Sequence, residues 1–482
     1  MNNTSTEKNP VYWYYGSASV AFGIKNNAFS YLLLIYSTQV LGIPGYLAAA
    51  ALFVAMIWDA VSDLFLGHWS DKTNSKLGRR HPFMYVGLIL LPLSFYALFN
   101  PVIELTEDNR WYYLLAAAVL IRTAVTLVEV PSVALLPDLV KDYDERNKWL
   151  VLRHAFGWYG GNGIHVVNMA IWVGAYGFAV QTGYAIYGLA GALIIAASTL
   201  ISSLGTQKIA SAMPPPAEKF KFSEIWREIK QIAQSLKNKN FLWLFVYSLV
   251  VGGAAGLSTA LYLYNVTYFF AYDGLQIAFT GLCVFASPAI AYWLAPKLGQ
   301  ALGKKWTAIS ALAAAIFLYP IPYILNLSGY WSSAEITSFI LFEETLTLTV
   351  NLVIYSLFVT AEVVGFIIGG VMLDSMMADI VEDSEVKTSR RSEGLFYAAR
   401  SFAGKFVSAF GIILAGSIVS LVGMDGIKTV TDMTYQMRVD LAGFFLPLYC
   451  GLYLLAMYFI SKYKIDREAH NANLERLSEK SQ

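Results

Sequence analysis

Apolar runs of membrane-spanning length recur along the whole chain, near 11–41, 45–70, 82–100, 112–137, 148–174, 182–204, 241–271, 275–296, 306–327, 346–378, 395–423 and 439–461. A helix needs roughly 20 apolar residues to cross the hydrocarbon core of a bilayer, so the pattern predicts twelve transmembrane helices, spans 1 to 12. One long polar connection, about 205–240, separates the first six from the last six and contains the helix-stopping run Pro214-Pro215-Pro216. After the prolines, Ile225, Trp226, Ile229, Ile232, Ala233 and Leu236 recur at helical spacing among Lys and Arg. That is the pattern of a helix lying on a membrane surface, or of a solvated linker helix. The expected organisation is a six-helix bundle over 1–204, a central cytoplasmic loop with an amphipathic helix over 205–240, a second six-helix bundle over 241–464 and a charged tail over 465–482.

Charge sets the direction of insertion. With both termini in the cytoplasm, most of the 34 Lys and Arg fall in inside loops and the tail, and only Arg110, Lys428 and Arg438 fall in outside loops. The positive-inside rule therefore predicts a multi-pass plasma-membrane protein with cytoplasmic N- and C-termini. Short stretches also repeat six spans apart. Gly78-Arg79-Arg80 follows span 2 and Gly303-Lys304-Lys305 follows span 8; Asp138-Leu139-Val140-Lys141-Asp142 follows span 4 and Asp379-Ile380-Val381-Glu382-Asp383 follows span 10. The halves read as parallel repeats, an architecture suited to alternating access around a site at the bilayer midplane.

Composition narrows the classes further. Of 482 residues, 57% are apolar and 14% charged, against about 25% charged in a soluble domain, which excludes a soluble enzyme. A net charge of +1 argues against a nucleic-acid partner, because a phosphate binder needs a basic surplus. Cys283 and Cys450 lie in apolar runs and form neither a disulfide framework nor a metal motif. The polar opening, Met1 to Pro10, is not expected to carry a cleavable targeting signal.

Chemistry is expected from charges left inside spans, since each costs at least ~2.5 kcal/mol to place there. Asp59 and Asp63 on span 2 stand four apart and share a helix face. Two carboxylates that close both stay ionised only around a cation, unless one takes a proton. The pair reads as a Na⁺ or H⁺ site that Ser62 helps to complete; alternatively, Asp63 pairs with loop arginines. The Gly-Lys-Lys register puts Val284 and Pro288 at the corresponding places of the second half, so the pair belongs to the first half alone. Arg153 on span 5 offers a planar fork for substrate hydroxyls or carboxylates. Glu129 on span 4 is its expected partner when the site is empty, or the two form a static ion pair between helices. Arg122 is expected at the outer edge of the bundle in a structural role. Glu362 on span 10 stands among apolar residues, with Lys405 or Arg400 as its possible partner. His154 and His165 lack metal-ligand spacing and read as packing residues.

These residues carry a resemblance. Trp58-Asp59-Ala60-Val61-Ser62-Asp63, followed by Gly67, Asp71 and Gly78-Arg79-Arg80-His81-Pro82, is similar to the glycoside–pentoside–hexuronide:cation symporter family of the major facilitator superfamily. So are Glu129-Val130-Pro131 with Leu136-Pro137-Asp138, Asp142-Tyr143-Asp144-Glu145-Arg146, and Ser375 to Val381 leading to Gly404-Lys405. The resemblance runs through nearly the whole chain and implies an all-α membrane protein with the major facilitator fold of two six-helix bundles. In the melibiose-permease branch the cation ligands map to Asp59 and Asp63, with Thr126 at the place of a span-4 threonine. The sugar ligands map to Glu129 and Arg153, and the span-11 lysine near the cation site maps to Lys405. The chain departs from that branch where an aspartate is expected early in span 1, reading Gly23-Ile24-Lys25-Asn26-Asn27, and where aromatic platforms are expected, reading Val133 and Gly370. A galactoside is therefore not implied. Lys25 and Asn26 stand in the substrate position, where Lys25 either favours an anionic substrate such as a hexuronide or neutralises Asp59.

The expected function is symport of a sugar, glycoside or hexuronide with Na⁺ or H⁺, with no enzymatic step, no cofactor beyond the coupling ion, the bilayer as surroundings and a monomeric state. Two alternatives remain: a carrier of another amphiphilic or anionic solute such as a lysolipid, and a non-transporting membrane sensor. The tail after Lys464 is too short for the output domain a sensor needs. At the cytoplasmic mouth, basic Arg79, Arg80, Lys304 and Lys305 face acidic Asp71, Asp138, Asp142, Asp379 and Asp383. They are expected either to latch the mouth in one conformation or to serve topology alone.

Overall fold

Span 1 starts where the Asn9 side chain accepts the Val11 backbone N–H (3.0 Å) and Pro10 takes a position whose N–H would find no helical partner anyway. The structure, a computed structural model, describes residues 9–140, 142–212, 230, 235–388, 393–465 and 467–480, except for the side chains at 143–144, 387–388, 393–403, 405–407, 474 and 477–480. Most of the expected amphipathic helix of the 205–240 loop lies outside the described residues. Among those described, nine helices are long and apolar enough to cross a membrane: Gly45–Asp71, His81–Phe99, Arg110–Leu139, Gln181–Ser211, Lys239–Phe269, Gly274–Leu302, Lys304–Leu327, Val350–Val386 and Tyr435–Ser461. Helices Pro10–Asn27, Tyr143–Ile171 and Glu393–Leu421 stand where spans 1, 5 and 11 are expected.

Proline decides where the apolar runs break. Span 8 divides into Gly274–Val284 and Ser287–Leu302 ahead of Pro288, and span 9 into Lys304–Leu318 and Pro320–Leu327 at Pro320. In both places the ring removes a helical N–H and crowds the preceding turn. Span 3 shows how a uniformly apolar helix serves two surroundings. Phe83, Met84, Leu91, Phe95 and Leu98 are buried, while Val86, Ile89, Leu90 and Leu93 are exposed on the face left for lipid.

The all-α expectation needs one correction. Residues 346–349, expected to begin span 10, instead close an antiparallel hairpin, β1 (Glu335–Leu341) and β2 (Glu344–Thr349), whose first part lies in the connection after span 9, and the helix starts at Val350. The hairpin turns through Phe342 and Glu343, both at positive φ (53° and 68°), as a two-residue turn matching strand twist requires. Thr337, Thr345, Thr347 and Thr349 supply β-branched positions there.

The described chain packs as two compact units. The first comprises Met1–Ile225, Ala260–Ala278 and Val419–Asp432, and the second Trp226–Thr259, Phe279–Ile418 and Met433–Gln482. In the first unit, spans 1 and 5 approach so closely that a Cβ on Gly23 would collide with the carbonyl of Gly157 and lie 2.9 Å from the Gly161 nitrogen. In the second, spans 7 and 11 meet in the same way, a Cβ on Gly411 falling 2.6 Å from the Leu257 nitrogen and onto the Gly253 carbonyl. Small residues let helix backbones touch in an apolar solvent, where dispersion contacts rather than water release hold helices together.

The far end of the first unit is knitted by polar contacts. Thr38 Oγ1 and Tyr264 Oη lie 2.5 Å apart, Gln39 Nε2 donates to the Met424 carbonyl (3.0 Å), and the Gly45 N–H donates to Asp425 Oδ1 (2.7 Å). Two π-helical turns lead into this region, Tyr36–Val40 at the end of span 1 and Asn265–Phe269 at the end of span 7.

Candidate functional site

Helix periodicity gathers the buried charges of the first unit. Arg122, Thr126 and Glu129 on span 4 stand at i, i+4 and i+7, and so share one face. Span 2 presents Asp59, Ser62 and Asp63 to that face, and the two helices are joined by Trp58 Nε1 donating to Thr123 Oγ1 (2.8 Å). Asp59 is 2% exposed, and its Oδ2 lies 3.3 Å from Arg122 Nη1. Ser62 Oγ donates to the Asp59 carbonyl (3.1 Å) and lies 3.3 Å from Thr126 Oγ1, which donates to the Arg122 carbonyl (2.9 Å). Asp63 is half-buried one turn along. The structure thus brings Asp59, Ser62 and Thr126 together as the sequence expects.

Two expectations are corrected here. Arg122 is not at the bundle edge; it is buried against Asp59, with the Phe29 ring 4.2 Å from its guanidinium carbon. The signal was available, because the arithmetic that pairs Asp59 with Asp63 also puts Arg122 on the face of Thr126 and Glu129. The second correction concerns Glu129, whose Oε2 pairs with Lys25 Nζ at 3.7 Å rather than with Arg153. Lys25 reaches it because Gly23 lets span 1 press against span 5, leaving the lysine buried at 4% exposure. Asn26 is exposed, and it is Asn27 whose amide approaches Asn162 (3.5 Å) on span 5.

Arg153 is 7% exposed and donates from Nη1 to Ser132 Oγ (2.9 Å). Tyr15 and Phe22 each place a ring centroid 5.2 Å from its guanidinium carbon. Arg153 Nη2 and Tyr15 Oη are both buried and have no hydrogen-bond partner among the described residues. Ser132, Tyr15, Phe22 and Phe29 were missed by sequence reasoning, which followed charges and had no means to single out neutral neighbours.

In the second unit, Glu362 lines a cavity of about 200 Å³ with Tyr247, Ser248, Gly365, Phe366, Gly370 and Tyr453. Tyr449 Oη donates to Glu362 Oε1 (2.8 Å), a partner different from the lysine or arginine considered from sequence. Lys405 and Arg400 have side chains outside the described residues.

The charged motifs at the helix ends fold as the repeat implies, each within its own unit. Arg79 Nη2 donates to both oxygens of Asp138 (2.9 and 2.8 Å), and Arg80 bridges Asp138 and Asp71. Lys304 Nζ holds both oxygens of Asp379 (2.7 and 2.9 Å) at the equivalent place of the second repeat. Gly78 and Gly303 precede these cations at φ +88° and +80°, a conformation glycine adopts without strain. Lys305 donates to the Tyr463 carbonyl (3.1 Å) and Asp142 caps its helix by accepting the Glu145 N–H (2.9 Å), so neither forms the expected pair. Asp383 is buried. The tail, expected as a charged stretch, is helical over Arg467–Lys480, and His470 Nδ1 reaches Asp379 (3.2 Å) and Glu382 (3.0 Å). Asp379, Glu382 and His470 could offer a metal three ligand atoms, but the Lys304 ammonium already holds Asp379. Arg80→Gln is expected to lower the melting temperature more than Arg79→Gln, because the Arg80 side chain is 8% exposed and bridges two carboxylates, whereas that of Arg79 is 28% exposed. Equal shifts in a fluorescence melt would show the bridge to be energetically idle.

Comparison with known proteins bears on the family and the fold. The family model described as MFS/sugar transport protein matches residues 14–467. The glycoside/cation symporter YagG of Escherichia coli is 22% identical, covering 94% of this chain and 91% of its own. The lactose permease of Lactobacillus helveticus is 23% identical over 97% of this chain and 70% of its own. Among solved structures, the nucleoside transporter NupG superposes with a TM-score of 0.58 at 16% identity, covering 95% of this chain and all (100%) of that one, a likeness of fold.

Proposed function

The chain belongs to the MFS/sugar transport protein family and is a multi-pass secondary transporter, not an enzyme; from that premise we propose that it carries a sugar or sugar acid in symport with a cation, by alternating access of two six-helix bundles. Twelve spans with both termini in the cytoplasm complete this reading. The observation that carries it is Arg153, a buried guanidinium whose Nη2 has no partner among the described residues. A buried donor left unsatisfied is costly, and a substrate oxygen is what would satisfy it. Tyr15 adds a hydroxyl beside it, and the Tyr15 and Phe22 rings offer faces for the apolar side of a sugar ring.

The charge balance favours a hexuronide over a neutral glycoside. Lys25 and Arg122 each have a carboxylate within 4.0 Å, whereas Arg153 meets a hydroxyl and two rings among the described residues. A carboxylate-bearing sugar supplies the charge that Arg153 lacks, in the bidentate geometry its fork fits. Relatives whose names specify a cargo include the lactose permeases and the isoprimeverose transporter of Lactiplantibacillus pentosus; these names support a saccharide cargo.

Uptake into proteoliposomes tests the reading directly. One cation crossing ~100 mV supplies ~2.3 kcal/mol and a tenfold gradient adds ~1.4 kcal/mol, together enough for several-hundred-fold accumulation. Concentrative uptake of a labelled hexuronide under an imposed cation or pH gradient is the expected result. Equilibration without accumulation under either gradient would leave a facilitator, and no uptake of any saccharide would remove the sugar assignment.

A further inference from the structure

The position at which a coupling ion would meet Asp59 already holds a cation that belongs to the chain. The guanidinium of Arg122 lies 3.3 Å from Asp59 Oδ2, with its outer face covered by Phe29 at 4.2 Å, so it is fixed between a carboxylate and a ring. Both side chains are buried, Asp59 at 2% and Arg122 at 8% side-chain exposure. The Ser62 and Thr126 hydroxyls donate to the Asp59 and Arg122 carbonyls and keep oxygen lone pairs that an alkali ion could use, so it is the guanidinium, not these hydroxyls, that stands in the ion's way.

Na⁺ is a hard ion that binds by surrounding itself with carboxylate, carbonyl and water oxygens. Seated on Asp59, it would stand about 4 Å from the guanidinium, where two like charges at the effective dielectric of a protein repel by enough to lower affinity by orders of magnitude. The donor set therefore does not fit Na⁺ while Arg122 is in place. We infer that Arg122 is a tethered counter-cation that fills the alkali-ion position at Asp59 and excludes Na⁺ from it, making Arg122 the ion-specificity determinant of the carrier. The inference rests on the proposed symport only in asking which ion is coupled; the exclusion itself is a binding property. Of the two gradients that test the transport reading, the sodium gradient is the one expected to be silent.

The test is Na⁺ binding to the purified full chain without sugar, followed by ²²Na⁺ scintillation proximity and by melting in NaCl against choline chloride at equal ionic strength. The parent is expected to show no saturable Na⁺ binding and no salt-specific shift. In Arg122→Gln the position is vacated, Na⁺ becomes the counter-charge of Asp59, and affinity is expected to rise at least tenfold. The melting temperature of that variant should be higher in NaCl than in choline chloride. Arg122→Lys keeps a tethered charge and should stay silent, and adding Asp59→Asn to Arg122→Gln should abolish the gained binding.

Saturable Na⁺ binding by the parent that disappears in a folded Asp59→Asn protein would overturn the inference. So would a folded Arg122→Gln protein that gains no Na⁺ binding, or an Arg122→Gln protein that NaCl fails to rescue where choline chloride also fails. None of these outcomes depends on whether the chain carries a sugar, so failure here is separate from failure of the transport assignment.

Discussion

Substrate affinity falls about ten- to a hundredfold in Arg153→Gln, with the larger loss for a hexuronide and the smaller for a neutral glycoside. Hydrogen bonds made by a charged donor contribute about 1.5–3 kcal/mol each, and Arg153 is a buried donor with an Nη2 free to make one. Arg153→Lys keeps the charge but gives up the planar fork, so it should recover part of the hexuronide affinity and little of any bidentate specificity. Equilibrium binding or substrate counterflow measures both without needing a driving ion. Ser132→Ala is a useful companion, because it removes the contact that orients Arg153 (2.9 Å) while leaving the guanidinium present. Hexuronide affinity within twofold of the parent in Arg153→Gln would place the substrate elsewhere.

The second large effect is on the fold. Asp59→Asn leaves Arg122 buried without its carboxylate, and breaking a buried pair from one side costs about 3–5 kcal/mol. A lowered melting temperature and poor yield are expected. The double change Asp59→Asn with Arg122→Gln removes both charges and should recover most of the loss, since the penalty is that of one stranded charge rather than of a missing contact. A double variant as unstable as the single one would mean that Asp59 supports the helices by some route other than Arg122. The single variant is thus a poor probe of ion coupling, because a lost activity could follow from lost structure.

How much of this was legible before the structure differs from feature to feature. The repeat motifs were, because Gly78-Arg79-Arg80 and Gly303-Lys304-Lys305 use the same two constraints, a positive-φ turn and a cation aimed at an aspartate across the next helix pair. Periodicity put Asp59 and Asp63 on one face of span 2, and the family resemblance, not periodicity, set Thr126 of span 4 beside them. The pairing of cations with carboxylates was not legible. Arg122, Lys25 and Arg153 are each within reach of more than one acid along the sequence, and the choice is made by how deeply spans 1 and 5 interlock at Gly23, Gly157 and Gly161. The hairpin over 335–349 was lost to hydropathy, since Leu346 to Thr349 read as the beginning of the span-10 apolar run and 335–345 as the connection before it. Burial separates the two, for all seven residues of β1 are exposed.

The π-helical turns at the ends of spans 1 and 7 have a consequence of their own. They occupy the same place in the two repeats and share the same bonding, Leu41 N–H to the Tyr36 carbonyl (3.1 Å) in one and Phe270 N–H to the Asn265 carbonyl (2.9 Å) in the other. Yet the letters are unlike: Tyr-Ser-Thr-Gln-Val against Asn-Val-Thr-Tyr-Phe agree only in Thr38 and Thr267. What the two places share is a backbone habit, one surplus residue wound into a helix that would otherwise run straight. A wider turn is a softer spring than the α-helix on either side of it. Span 1 carries a second such turn at Ala28–Leu32, so the first helix has two points at which it can yield and the seventh has one.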